Sequence, residues 1–140
     1  MIKFLKILGW STLAIFLLFA LLITTIIVSA KRDINIAESP QRILKISGLR
    51  YSNFLIADSS NNLDRGASAW TSYEYTLQAK TPSELQTKVT KLVDKDSNWK
   101  TTESGKYCYS MSDGSTMLTI DISADCTIIK IDYSWWDFFS

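Results

Sequence analysis

The residues whose types and spacing could do chemistry are few. They are two cysteines, Cys108 and Cys126, and four carboxylates, Asp94, Asp96, Asp121 and Asp132. A thiol acts as a nucleophile only as the thiolate, and the usual partner that makes one is an imidazole. The chain has no histidine. That also removes the commonest general base, the commonest transition-metal ligand and the ordinary pH switch. Asp94, Asp96 and Asn98 form D-x-D-x-N, the opening of a calcium-binding loop. The sixth position, where the sharp turn needs glycine, is Trp99, and the twelfth, where a bidentate Glu is needed, is Gly105. The spacing therefore reads as a solvated helix end. Asp121, Lys130 and Asp132 fall on one parity of the C-terminal strands. They could form an acid/base pair, but cross-strand charge pairs on a wet sheet face have the same pattern. No catalytic residue, cofactor site or metal site is assigned, and the expectation is that the protein is not an enzyme.

The chain ends Ser134-Trp135-Trp136-Asp137-Phe138-Phe139-Ser140. Trp135 continues the apolar parity of the preceding strand and is expected in the core. Trp136 takes the other face. Trp136, Phe138 and Phe139 are expected to form a contact surface for another protein, since interfaces concentrate their energy in large aromatics. A lid over the core and a set of rings resting at a membrane interface are the competing uses.

What must position these residues begins with Ile7 to Val28, ILGWSTLAIFLLFALLITTIIV, 22 residues without a charge. At about 1.5 Å per residue it matches the roughly 30 Å hydrocarbon core of a bilayer, where backbone groups must bond within their own helix. Val28-Ser29-Ala30 would suit a signal peptidase, but the apolar run is longer than the roughly 7–15 residues of a signal peptide. A retained signal anchor over residues 1–32 is expected. Lys3 and Lys6 precede the run and Lys31 and Arg32 follow it, so basic residues hardly discriminate orientation. A short basic head before a long apolar run resembles a signal anchor, which leaves the domain outside the cytoplasm.

Residues 33–140 then make one small extracytoplasmic domain. Of the 15 basic residues, four flank the span, and the remaining 11 stand against 14 acidic ones. A mildly acidic domain argues against nucleic acid, which needs a basic face. Asp33 to Ser39 reads as a short tether or a continuation of the preceding helix. Ser39-Pro40 can start a short helix that Gly48 ends, although ILKIS also reads as a strand. Leu49 to Ala57 reads as a strand and Asp58 to Ser68 as a loop. Trp70 to Ala79 alternates, with Tyr73, Tyr75, Leu77 and Ala79 on one side and Ser72, Glu74, Thr76 and Gln78 on the other. Thr81, Pro82 and Glu84 form a capping box that opens a helix from about Pro82 to Lys95, with Leu85, Val89, Leu92 and Val93 on one stripe.

The last third is a three-stranded meander. A turn at Asp113-Gly114 pairs Ser112 with Ser115, hence Tyr109 with Leu118 and Tyr107 with Ile120. A turn at Ala124-Asp125 pairs Ser123 with Cys126, hence Ile120 with Ile129 and Leu118 with Ile131. Both registers put Tyr107, Tyr109, Leu118, Ile120, Ile122, Ile129, Ile131 and Tyr133 on one face. The fold expected is α+β: one transmembrane helix, then a small antiparallel sheet of about five strands covered by one amphipathic helix. In this register Cys108 and Cys126 share the polar face but lie four residues apart along the strands, about 13 Å. The even count in an exported domain nonetheless favours a Cys108–Cys126 disulfide. The function these features suggest is a single-pass membrane protein that presents its domain to another envelope protein, as an accessory subunit or an immunity- or inhibitor-like protein. The alternative is a tethered module that stacks surface aromatics on a glycan or cell-wall polymer.

Overall fold

The structure, a computed structural model, describes residues 2–62 and 70–136; for residues 2–11, 30, 61 and 62 the description is of the backbone alone. The order is α1 (Ile2–Ala37), α2 (Pro40–Ile46), a 3-10 turn (Tyr51–Asn53), β1 (Phe54–Asn62), β2 (Trp70–Ala79), α3 (Pro82–Lys95), β3 (Trp99–Thr101), β4 (Tyr107–Ser112), β5 (Thr116–Ile122) and β6 (Ile128–Trp136). The chain divides into two compact units, residues 1–32 and 33–140.

α1 carries a stretch, Thr12–Ala37, long and apolar enough to cross a membrane, and the most apolar part of that stretch is not buried inside the protein. Phe16, Leu18 and Phe19 are exposed along it. Its two adjacent threonines satisfy themselves within the helix. Thr24 Oγ1 donates to the Ala20 carbonyl at 2.7 Å and Thr25 Oγ1 to the Leu21 carbonyl at 2.8 Å, so neither hydroxyl needs water.

The second unit is α+β, built on a six-stranded antiparallel sheet in the order β1-β2-β6-β5-β4-β3. The expected count of about five is therefore corrected to six. The added strand is β3, a three-residue edge piece on β4 in which only Trp99 is buried. β1 also runs further than expected, through Asp58-Ser59-Ser60 and the backbone of 61 and 62, where composition suggested a loop. A bulge between Ile56 and Asp58 lets it stay in register with β2 across that polar stretch, as edge strands commonly do.

One face of the sheet is packed. Tyr75, Leu77, Tyr109, Leu118, Ile120, Ile122, Ile129, Ile131, Tyr133 and Trp135 are buried on it, in one cluster with Leu85 and Val89 of α3. The cluster reaches further than the sequence suggested. Ala37, at the end of α1, and Ile43, Leu44 and Leu49 around α2 belong to it. The helix continues through Ala37, one of the two expectations for this stretch, with Asp33 and Ala37 buried and Ile34 and Asn35 exposed, and the Tyr75 hydroxyl donates to the Ala37 carbonyl at 2.7 Å. Gln41 to Ile46 is helix rather than strand. Gly48, at φ +77, ends it in the left-handed conformation. The Leu49 N–H reaches the Leu44 carbonyl at 2.9 Å, closing a Schellman-type stop. Thr81 precedes α3 as expected, but its hydroxyl meets Glu84 Oε2 at 3.1 Å rather than capping a backbone N–H.

Both hairpin registers differ from the expected ones by two residues. Asp113 pairs with Thr116, so the loop is Gly114-Ser115 with Gly114 at φ +89, and Tyr109 faces Ile120. Glycine as the first of two loop residues is the II′ arrangement. At the other turn, Ile122 pairs with Ile129 and the loop is four residues, 124–127. Cys126 holds φ 56 there and is fully buried. It does not sit on the polar face beside Cys108. A shift of two preserves parity, which is why the buried face itself comes out as expected.

Candidate functional site

The other face of the sheet carries the chemistry-bearing residues, and along every strand its side chains are exposed or half-exposed. Strand pairing arranges them in rows. One row reads Asp58, Thr76, Lys130, Asp121, Cys108, Lys100; the next reads Ser60, Glu74, Asp132, Thr119, Ser110. Where the rows cross the middle strands there is a shallow depression of about 340 Å³, lined by Glu74, Thr76, Thr119, Asp121, Lys130 and Asp132 among others. A face of this kind is what an antiparallel sheet covered on one side leaves to water.

Asp121, Lys130 and Asp132, singled out in the sequence, do converge there. Asp121 and Lys130 are direct cross-strand partners. The residue that sequence reasoning did not connect with them is Glu74, which faces Asp132 across the β2–β6 pair. Its polar parity on β2 was legible, but the pairing of β2 with β6 bridges some sixty residues and has no local signal. Burial first, and then the Glu74 charge, raise the Asp132 carboxyl above its ordinary value, as like charges opposite one another must.

Cys108 lies beside Asp121 and is a free thiol, as is Cys126. Burial and the Asp121 carboxylate push the Cys108 thiol up to about 11, and burial raises Cys126 as well. Both shifts favour the protonated thiol, the less nucleophilic form. Asp96 spends its carboxylate locally, accepting from the Asn98 N–H at 2.9 Å and the Asn98 side chain at 3.1 Å. Among the described residues no group of three or more acidic or thiol side chains is placed to hold a metal ion.

Trp135 is 2 % exposed and stacks on Tyr73 with ring centres 6.0 Å apart. Trp136 is 38 % exposed and meets Trp70 edge to face at 5.7 Å. The parity argument thus separates the two indoles correctly. Phe138 and Phe139 lie outside the described residues. Trp70, which sequence reasoning did not include, joins Trp136 because it is that residue's cross-strand partner. The open face therefore runs from a polar centre to an aromatic end. No protein-family model matches this chain, and neither the curated proteins nor the solved structures yield a match.

Proposed function

We propose that this is a non-enzymatic, single-pass membrane protein whose domain, residues 33–140, lies on the extracytoplasmic side and docks another envelope protein through the aromatic end of its open sheet face. The observation that carries the reading is the contrast between the two sheet faces. One is closed by the core, for which α3, with Leu85 and Val89, serves as the amphipathic cover. The other is open and ends in Trp70 and Trp136, with Met117 about half exposed on the same face. The exposed apolar α1 supports the anchor. Glu74, Asp121, Lys130 and Asp132 are read as solvated cross-strand charges rather than as an acid/base site.

Two experiments test this. A C-terminal phosphatase that works only after export should be active when fused to the chain, and an inactive fusion refutes the sidedness. In the full chain, Trp136→Ser should leave folding little changed, costing under about 1 kcal/mol, while lowering recovery of the partner after crosslinking in membranes. Trp135→Ser should instead destabilise the domain by roughly 3–5 kcal/mol. A Trp136→Ser chain that unfolds would return the indole to the core and end the docking claim. One observation favours a glycan-binding module as a second reading: the T-shaped Trp70–Trp136 pair borders a row of hydrogen-bonding side chains. Saturable quenching of tryptophan fluorescence by a cell-wall polysaccharide would separate it from the first.

A further inference from the structure

The stretch that follows the candidate span carries a second concave surface. A cleft of about 360 Å³ is lined by Gln41, Lys45, Leu49, Arg50, Tyr51 and Ser52. It contains two cations and no carboxylate. Lys45 and Arg50 are both exposed, and among the described residues nothing holds either side chain in a hydrogen bond or ion pair. A third cation stands at its rim, where the Lys80 ammonium donates to the Ser52 carbonyl at 2.8 Å. This is unusual for a unit with more acids than bases, whose carboxylates Asp58, Glu74, Asp121 and Asp132 gather on the open sheet face.

The geometry points to an anion site that takes a phosphate group. The Arg50 guanidinium offers a planar fork that matches two phosphate oxygens, and Lys45 adds a mobile point charge. Gln41 and Tyr51, which also line the cleft, carry an amide and a hydroxyl that can donate to the remaining oxygens. Leu49 supplies an apolar wall. The backbone around the cleft is held firmly: Gly48 closes α2, and the Lys80 N–H donates to the Asn53 carbonyl at 2.9 Å. The cations are therefore presented on a fixed surface rather than on a free loop.

A phosphodiester of a membrane lipid and free inorganic phosphate share this chemistry. Gln41 is only thirteen residues beyond Val28, so the chain cannot carry it further than about 47 Å from the end of the apolar run. With the anchor in a bilayer, lipid headgroups are the concentrated source, and cationic side chains near an anionic surface bind it additively. The lipid arm rests on the anchor reading; the phosphate arm does not.

The test uses the full chain in neutral maltoside micelles, with native mass spectrometry of adducts from added phosphatidylglycerol and phosphatidylcholine. The expected result is preferential retention of phosphatidylglycerol. In Lys45→Gln/Arg50→Gln that preference should fall roughly twenty-fivefold, the product of about fivefold for each cation. Lys45→Arg/Arg50→Lys keeps both charges and should retain most of it. Lys31→Gln/Arg32→Gln removes the two cations that follow the span and should leave the preference in place. Competition by millimolar inorganic phosphate would support the site and identify a soluble anion as its ligand, whereas resistance to it would identify the lipid. Equal retention of the two lipids together with no inorganic phosphate adduct, or a preference unchanged in Lys45→Gln/Arg50→Gln, would overturn the proposal.

Discussion

Replacing Ile120 with Ala tests the sheet register and the buried face together. Ile120 is fully buried in β5, between Tyr109 on β4 and Ile131 on β6. The change removes three carbons, which at about 0.8 kcal/mol each amounts to roughly 2.4 kcal/mol of lost transfer free energy. Neighbours anchored in two flanking strands cannot collapse into the space, so a cavity term adds to it and brings the total to about 3–5 kcal/mol. That is a large share of the roughly 5–15 kcal/mol that holds a domain together. The thermal midpoint should fall by more than about 10 °C, followed by near-ultraviolet circular dichroism of the full chain in mild detergent, where the buried Tyr and Trp rings report packing. Thr119 is the control. It precedes Ile120, points to the open face and pairs with Asp132, so Thr119→Ala should cost under about 1 kcal/mol. Equal losses at the two positions, or a greater loss at Thr119, would refute the assignment of faces.

Asp113 clasps the β4–β5 hairpin. One of its oxygens accepts from the Thr116 N–H and hydroxyl, both at 2.8 Å, and from the Ser115 N–H and hydroxyl, both at 3.1 Å. Those bonds, the Thr116 hydroxyl first, hold its carboxyl down at about 2, from an ordinary 3.8. A depressed folded value means a contribution that is complete above the unfolded value and lost as pH falls through about 2. Asp113→Asn should therefore be less stable than the parent at neutral pH, and the gap should close between about pH 4 and pH 2 in acid titrations. A gap that is constant with pH would show that the charge is not what matters. Tyr75→Phe removes the 2.7 Å bond to the Ala37 carbonyl while keeping the ring. It should cost about 1 kcal/mol and speed amide exchange in residues 33–37. Unchanged exchange there would mean that the hydroxyl does not hold the end of α1.

Much of this architecture was legible because period-2 alternation reports a face directly. Leu118, Ile120 and Ile122 on β5, and Ile129, Ile131 and Tyr133 on β6, declare their side without knowledge of a partner. The same property hid the registers. A slip of two preserves every face, so apolar pattern cannot distinguish Tyr109 opposite Leu118 from Tyr109 opposite Ile120; only turn geometry can. Asp113-Gly114 marks the turn, but the left-handed residue is the first loop position, Gly114, and Asp113 belongs to the clasp. Cys126 occupies a left-handed position with nothing in its type to announce it, since Gly or Asn is the usual resident. Composition makes the second half of β1 look like a loop because an edge strand pairs on one side only and can carry Asp-Ser-Ser where an inner strand would not. The polar centre of the open face was half legible: Asp121, Lys130 and Asp132 follow from the meander, whereas Glu74 joins them only through the long-range β2–β6 pairing.

The two faces differ in a way that bears on how a partner could be held. Across the middle of the open face, Thr, Ser, Asp, Glu and Lys alternate from strand to strand, so most of its area would exchange water for polar contacts at little gain. Direct opposition of Glu74 and Asp132 makes that centre costlier still to cover, because burial raises Asp132 further unless a cation arrives with the partner. The energetically useful part is the aromatic end, where Trp136 and Trp70 already meet and lose less freedom on docking than mobile side chains would. A patch of that size supports only weak association between free molecules. Tethered in one membrane, two proteins meet at a far higher effective concentration, and a weak contact is enough. Under the proposed function, then, anchor and patch are linked: cutting the chain after residue 32 should abolish partner capture at ordinary concentrations even with Trp70 and Trp136 intact. Capture by the released domain at the same strength would show that the sheet face binds without the tether and that its polar centre contributes more than its chemistry suggests.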